Sequence, residues 1–169
     1  MGERFLVPLC ASIGCACLFD TLTAPPGSGE FCRMQGKTFT YEIDILERHL
    51  DTFGHVNNAK YLEIFEEARW DFITHNGYGL DEVKVTNQGP IILGVTVKFK
   101  KELRLRDRIK VSTTVVKYDK KIGIIRQVLT NSAGEVSAEA DFTFGLFDTI
   151  ARKLIAPSPK WRAAVGHPR

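Results

Sequence analysis

The sequence predicts an α+β domain in which one long helix packs against an antiparallel sheet of about five strands. Three observations support this prediction. Apolar and polar residues alternate early in the domain, apolar residues recur at helical spacing over the next stretch, and four strand-like segments follow between polar turns. At 169 residues, the chain is long enough for one compact domain with terminal extensions and short for two separate cores.

The first 33 residues have the composition of a leader or of another extension outside the domain. Residues 5–19 are apolar but too few to span a bilayer, and residues 23–30 have the Pro, Gly and Ser content of a linker. No later apolar run reaches the roughly 18 residues that a membrane-spanning helix needs. We expect a cytoplasmic protein, or an exported or organellar one if residues 1–33 are a genuine targeting segment.

The cysteines separate this extension from the rest of the chain. All of them lie before Met34, where the sequence changes to strand-like alternation. They are Cys10, Cys15, Cys17 and Cys32. We therefore expect no disulfide, no thiolate metal site and no cysteine nucleophile in the domain. We assign residues 34–156 to the domain and residues 157–169 to a C-terminal tail.

The first predicted elements are a half-buried strand at residues 38–45 and an amphipathic helix at residues 59–75. In the helix, apolar residues recur on one side and acids occupy the other. The apolar set is Tyr61, Leu62, Phe65, Ala68, Phe72 and Ile73. Asn57 or Asn58 is placed to cap the start of the helix, and Asn76-Gly77 supplies a left-handed stop.

Four strands follow the helix and form an antiparallel meander. They are predicted at residues 91–99, 109–118, 122–129 and 136–147. The last two turns between them are short enough for hairpins, and the tail around Trp161 is predicted to form a short helical turn. One helix covers only one face of such a sheet, so we expect a homodimer or a homotetramer to bury the remaining apolar surface.

The composition excludes several classes of protein. Lys and Arg number 23 against 20 Asp and Glu, and the resulting net charge of +3 is too small to indicate a nucleic-acid-binding protein. Hydrophobic residues at 44% and charged residues at 25% are ordinary for a globular domain, which excludes a disordered or collagen-like chain. Two basic clusters stand out, one from Lys98 to Arg106 and one from Lys117 to Lys121.

The segment from Asp51 to Arg69 is the part of the sequence that indicates chemistry. It places the carboxylate of Asp51 and the imidazole of His55 four residues apart, in a turn that leads into the start of the helix. The first N–H groups of a helix have no internal partner, so they can polarise a carbonyl or hold an oxyanion. Asp51 is then placed to act as a nucleophile or as the general base for a water, while Gly54 lets the backbone pass closely.

At these residues the chain resembles the hotdog-fold thioesterases of the 4-hydroxybenzoyl-CoA thioesterase type. The matching residues are Asp51, Gly54, Val56, Tyr61, Glu66, Ala68 and Arg69. The order of one strand, one long helix and an antiparallel meander is also that family's order, and the resemblance extends from Thr38 to Phe147. It implies a hotdog fold, in which the sheet wraps around the central helix.

The resemblance also implies an activity, the hydrolysis of an acyl-CoA to a carboxylic acid and free coenzyme A. Asp51 is then the catalytic carboxylate, and the backbone N–H at or near Asn58 polarises the thioester carbonyl. The active site is expected between two subunits, with coenzyme A present only as part of the substrate and no metal. The candidate substrate-binding residues are Gly54, Asn58, Tyr61, Glu66, Lys98 and Lys100.

Several of these residues have simpler explanations. His55 orients the water or the carboxylate, or only packs in the turn. Glu66 is a second candidate for the base, or a solvated acid paired with Arg69. Tyr61 is most simply a core residue, and the lysines either meet the phosphates of coenzyme A or are solvated surface.

Two alternative functions remain open. The turn also resembles that of acyl-ACP thioesterases, where an Asn stands two residues before the His, but this chain has Phe53 there. Acyl carrier protein is therefore the second candidate carrier of the acyl group. A non-catalytic acyl-thioester-binding protein of the same fold is the other alternative, and the presence of Asp51 argues against it.

Overall fold

The computed structural model describes residues 37–167, and the predicted leader, residues 1–33, lies outside this range. The elements are β1 (Thr38–Asp44), α1 (Asn58–His75), α2 (Leu80–Thr86), β2 (Gln88–Phe99), β3 (Arg108–Asp119), β4 (Ile122–Thr130), β5 (Val136–Asp148), β6 (Lys153–Ile155) and α3 (Pro159–Ala164). A single 3-10 turn, Glu47–His49, precedes α1. The predicted order of strand, long helix and meander is confirmed, while α2 and β6 were not predicted.

The sheet is antiparallel throughout, with the strand order β1-β3-β4-β5-β2, and β6 pairs with β5. β2 pairs with β5 on one side and β1 pairs with β3 on one side, so these two strands form the edges of the sheet. The three strands between the edges, β3, β4 and β5, are joined by short turns, as the polar residues between them predicted.

The register shifts at three β-bulges, in β2, β3 and, at Ser137, in β5, and these change which residues face the helix. In β2, Ile92 pairs with Phe144 and Gly94 with Thr143, so Leu93 is the extra residue. In β3, the register shifts in the same way at Val116. Since each extra residue inverts the alternation of side chains, residues that share a face before a bulge lie on opposite faces after it.

Helix α1 packs on the inner face of the sheet and forms the centre of the core. Its buried residues are Tyr61, Ile64, Phe65, Ala68, Phe72 and Ile73. The prediction that Leu62 faces inward was wrong, because Leu62 is 38% exposed and Ile64 takes the inward position. Ile64 lies three residues from Tyr61 and four from Ala68, which is the spacing of one helical face.

Both predicted ends of α1 are confirmed. The side chain of Asn57 accepts a hydrogen bond from the Ala59 N–H, which makes Asn57 the N-cap. At the other end, Gly77 adopts φ +81°, the left-handed conformation that stops a helix at glycine.

The C-terminal segment, predicted as a tail with a short helical turn, contains α3 and contributes to the core. Ser158 caps α3 by accepting the Trp161 N–H, and Pro159 occupies the first turn, where no N–H is needed. Trp161 is only 1% exposed; its ring meets that of Tyr78 edge-on at 4.9 Å, and its indole N–H donates to the Tyr118 hydroxyl at 3.1 Å. The helix therefore closes one side of the apolar core.

Between residues 37 and 167, no helix combines the length and the hydrophobicity that crossing a bilayer requires.

Candidate active site

The turn that carries Asp51 is closed by its own backbone. The Asp51 N–H donates to the His55 carbonyl at 3.0 Å, and the Gly54 N–H donates to the Asp51 carbonyl at 3.1 Å. Gly54 has φ +79°, which a residue with a side chain adopts only with strain. The predicted close approach of the backbone at Gly54 is wrong, because a Cβ there would meet open space; the left-handed φ of the turn is what favours glycine.

The carboxylate of Asp51 is held in place by two groups of the same turn. Its Oδ1 accepts the Phe53 N–H at 2.9 Å, and its Oδ2 lies 3.3 Å from His55 Nδ1. The side chain of Asp51 is 19% exposed, while the Phe53 ring stacks on the His55 imidazole at 5.8 Å. The predicted Asp–His pair is thus in contact, with one edge of the carboxylate open to solvent.

The start of α1 offers a free backbone donor next to this pair. Asn57 and Asn58 both direct their side-chain oxygens at the Ala59 N–H, and the Lys60 N–H donates to the Asn57 carbonyl. Among residues 37–167, no acceptor meets the Asn58 N–H. This is the N–H that the sequence singled out for polarising a carbonyl.

Neighbouring segments fix the turn to the body of the domain. The Val56 N–H donates to the Leu103 carbonyl at 2.9 Å, and the Asn57 N–H donates to the His49 carbonyl at 3.0 Å. His49 is buried, and its Nδ1 accepts the Leu46 N–H at 3.0 Å. Burial lowers the pKa of His49, which favours the neutral ring that this hydrogen bond requires. No sequence pattern signals this support, since a histidine in a polar turn has no distinctive pattern.

The structure does not bring all the predicted substrate-binding residues to Asp51. Lys98 pairs in register with Glu139 on the sheet face away from α1, and Lys100 forms an ion pair with Glu139 at 2.8 Å. The two lysines therefore lie on the outer face of the sheet, whereas α1 and the turn before it lie on the inner face.

Tyr61 is a core residue, which is the simpler of the two explanations considered for it. It is buried one turn into α1, its ring meets that of Phe99 edge-on at 5.0 Å, and burial raises the pKa of its phenol. Glu66 is exposed five residues further along the helix and makes no ion pair with Arg69 within 4.0 Å.

Arg69 instead anchors a buried polar network that the sequence did not reveal. Its Nη1 donates to Gln127 Oε1 at 2.8 Å, and its guanidinium lies 4.0 Å from the centre of the Phe142 ring. The Gln127 amide in turn donates to the Phe65 carbonyl and to the Thr113 hydroxyl, both at 3.0 Å. Burial lowers the pKa of Arg69 to about 10.

We expect Arg69→Met to lower the free energy of unfolding by about 1–3 kcal/mol, because it leaves the buried Gln127 oxygen without a donor. Urea denaturation measures this change. The matched control is Glu66→Gln on the same helix, which is exposed and should change stability by less than about 0.5 kcal/mol. Equal stability of the Arg69 variant and the wild type would contradict a structural role for the network.

An apolar cavity lies between α1, the start of β2 and α3. Its volume is about 240 Å³, and Ile73, Ile91, Ile92 and Trp161 contribute to its walls. Glu66 and Arg69 also line it and provide its polar edge. Within residues 37–167, no group of three or more His, Cys, Asp or Glu side chains is arranged to hold a metal ion.

The chain matches known proteins over most of its length. A family model described as the thioesterase-like superfamily matches residues 45–165. The long-chain acyl-CoA thioesterase FadM of Escherichia coli (strain K12) is 32% identical over 116 residues, which are 68% of this chain and 87% of that protein. A chloroplastic acyl-acyl carrier protein thioesterase of Arabidopsis thaliana, ATL3, is 32% identical over 97 residues, which are 57% of this chain and 47% of that protein.

Solved structures are similar as well. The probable thioesterase YbaW of Escherichia coli superposes with a TM-score of 0.67 at 29% identity, covering 75% of this chain and 96% of that one. A Staphylococcus aureus protein, SAV2348, solved in complex with CoA, superposes with a TM-score of 0.73 over 79% of this chain and 85% of its own; at 21% identity this similarity shows the fold alone.

Proposed function

This chain belongs to the thioesterase-like superfamily and has its hotdog fold, and from that membership we propose that it hydrolyses acyl-CoA thioesters at Asp51. The observation that supports this proposal best is that an oriented carboxylate and a helix N–H without an acceptor occur in the same turn. Asp51 is fixed by Phe53 and His55, and the Asn58 N–H follows in the same turn with no acceptor among the described residues.

The reaction at this site needs only the residues of the turn and the helix start. The thioester carbonyl oxygen accepts the Asn58 N–H, which stabilises the oxyanion that forms. Asp51 either attacks the carbonyl carbon, giving a mixed anhydride that water then hydrolyses, or removes a proton from a water that attacks directly. Both routes break the C–S bond, release coenzyme A as its thiol once the thiolate gains a proton, and yield a carboxylic acid.

His55 is proposed as a positioning residue for this carboxylate. Its Nδ1 lies 3.3 Å from Asp51 Oδ2, so a protonated Nδ1 orients the carboxylate while leaving Oδ1 on the other side. The stacked Phe53 ring restricts the imidazole. This arrangement replaces the Asn–His pair of the acyl-ACP thioesterases, and it supports coenzyme A over acyl carrier protein as the carrier of the acyl group.

A long acyl chain is the proposed substrate class. The name of the Escherichia coli relative indicates long-chain acyl-CoA as that protein's substrate. The apolar cavity of about 240 Å³ beside α1 supports an apolar acyl group, because an apolar slot is what a hydrocarbon chain requires, while the chain length rests on the relative alone. The similarity to a carrier-protein thioesterase keeps acyl carrier protein as the alternative.

Thiol release from a panel of thioesters tests the function. The panel contains short, medium and long saturated acyl-CoAs, an aromatic acyl-CoA and a long-chain acyl carrier protein thioester. We expect the highest kcat/KM for long-chain acyl-CoA. Faster turnover of the carrier-protein thioester would establish the alternative substrate, and binding of acyl-CoA without any hydrolysis would establish a non-catalytic binding protein.

We further propose that the protein is a homodimer, or a homotetramer built from dimers, joined through β2. This strand lies at the sheet edge, and it carries Leu93, Val95 and Phe99 about half exposed. An unpaired edge with apolar side chains favours pairing with a second copy. Two-fold symmetry pairs the β2 edge of one subunit with the β2 edge of the other. The exposed side of α1 then meets its counterpart beside the active-site turn.

Val95→Lys is expected to convert the oligomer to monomers, because a lysine on an edge strand opposes strand pairing. Size-exclusion chromatography with light scattering measures the mass. Val116→Lys is the matched control, since Val116 is equally exposed (43% against 45%) but lies on β3, which β4 and β5 separate from the β2 edge. A monomeric wild type, or loss of the dimer in the Val116 variant as well, would contradict assembly through β2.

A cytoplasmic location is proposed as the simplest one for an enzyme that uses acyl-CoA. Mass spectrometry of the N-terminus in the native host tests it, because removal of residues 1–33 as a targeting segment would instead support an exported or organellar protein.

A further inference from the structure

Three segments meet at one end of the sheet. The Thr149 N–H and hydroxyl both donate to the Asn87 carbonyl, which joins the turn between β5 and β6 to the end of α2. The ammonium group of Lys121 donates to the Leu154 carbonyl, which joins the turn between β3 and β4 to β6. We call this surface, formed by α2 and these two turns, the distal end, because it lies at the opposite end of β3 from the active-site turn.

The distal end exposes large apolar side chains. Val85 on α2 is 80% exposed, and Ile150 at the tip of the turn between β5 and β6 is 75% exposed. Leu80 on α2 and Ile122 at the start of β4 are also exposed. Helix α2 has no fully buried residue, and its apolar residues Leu80 and Val85 face solvent instead of packing in the core.

Cations without an ion pair lie on the turns and strand ends of the same part of the sheet. They are Lys117, Lys120, Lys121, Arg152 and Lys153. Within residues 37–167 none of the five forms an ion pair, whereas most of the other lysines and arginines in that range do. The nearby Asp148 uses its Oδ1 to accept the Ile150 and Ala151 N–H groups of the turn, and no ion pair within 4.0 Å joins it to Lys153.

We propose that the distal end docks on the surface of an anionic phospholipid bilayer. Exposed apolar tips that enter the interface, ringed by cations that meet anionic headgroups, are the combination by which peripheral proteins bind membranes. The cations complement the charge of the lipid, and Val85 and Ile150 supply the apolar contact. The surface is separate from Asp51, so the proposal does not depend on the enzymatic activity.

Docking in this orientation places the apolar cavity close to the bilayer. The Val83 side chain contacts Gly89, and the following residues of β2, Ile91 and Ile92, line the cavity. A hydrocarbon chain that enters or leaves the cavity therefore has the membrane nearby as its apolar reservoir.

Sedimentation of the full chain with lipid vesicles tests this proposal. The vesicles are phosphatidylcholine alone or phosphatidylcholine mixed with phosphatidylglycerol, at low and high salt. We expect binding to the anionic vesicles that weakens with salt. The test variant, Lys120→Gln, Arg152→Gln and Lys153→Gln together, should bind at least about tenfold more weakly. Val85→Ser with Ile150→Ser should also reduce binding.

The control variant makes the same change in net charge elsewhere. It combines Lys101→Gln, Arg108→Gln and Lys110→Gln, three exposed residues at the other end of the sheet, and should bind vesicles as the wild type does. Equal binding by the two triple variants, or no vesicle binding by the wild type, would overturn the proposal. A distal-end variant that keeps vesicle binding but shows a raised KM for acyl-CoA would assign these cations to the substrate phosphates instead.

Discussion

Asp51→Asn is expected to reduce kcat for acyl-CoA hydrolysis by about 10²-fold or more, since it removes the group that acts as nucleophile or general base. The substitution keeps the size of the side chain. The amide oxygen still accepts the Phe53 N–H, so the turn should keep its conformation. Thiol release under saturating substrate measures kcat, and substrate binding should change little because the charge is needed for the reaction rather than for the acyl chain.

Asp44→Asn is the matched control for this prediction. Asp44 is an exposed carboxylate at the end of β1, outside the active-site turn, and its loss should leave kcat unchanged. Wild-type activity in the Asp51 variant would make Asp51 a turn residue. The search for the carboxylate would then move to Glu66, which lines the apolar cavity and is the second candidate.

The largest expected effect on stability is that of Trp161→Ala, at about 3–5 kcal/mol. Trp161 is buried between Tyr78 and Phe144, with ring centres 4.9 and 6.2 Å away, so truncation leaves a cavity in the core. It also removes the donor to the Tyr118 hydroxyl. Urea denaturation followed by circular dichroism measures the loss without depending on tryptophan fluorescence.

Trp161→Phe separates packing from hydrogen bonding at this position. It keeps an aromatic ring at this position but removes the indole N–H and part of the ring volume, so we expect a smaller loss of about 1–2 kcal/mol. If the alanine variant is as stable as the wild type, α3 is not part of the core, and residues 157–169 contribute little to the free energy of unfolding.

Local patterns were sufficient to predict the main elements. The N-cap at Asn57, one of two predicted positions, and the Gly77 stop of α1 depend on neighbouring residues alone, and the structure confirms both. The position of Leu62 was wrong because its apolar character says nothing about which of two adjacent residues faces the sheet. Helix α2 has seven residues, of which Val83 packs partly against the core, so its apolar face is too short for a helix to be predicted from periodicity.

The candidate site was predictable only where it is local. Asp51, His55 and Asn58 lie within eight residues, and the structure places them in one turn and helix start. Lys98 depends instead on the register of β2 with β5, which pairs it with Glu139 on the outer face. The contact of Arg69 with Gln127 joins residues 58 positions apart, and no local pattern signals it.

Leu93, the extra residue in β2, is the position at which we expect the strand to lose one residue and keep its side chains on the same faces. Leu93 stands opposite no residue of β5, so its deletion would let Ile92 and Gly94 become neighbours in a regular strand. Ile92 and Val95 would still point toward the helix, and Lys98 would still point away from it. We therefore expect deletion of Leu93 to preserve the alternation of side chains, which a one-residue deletion elsewhere in the strand would invert.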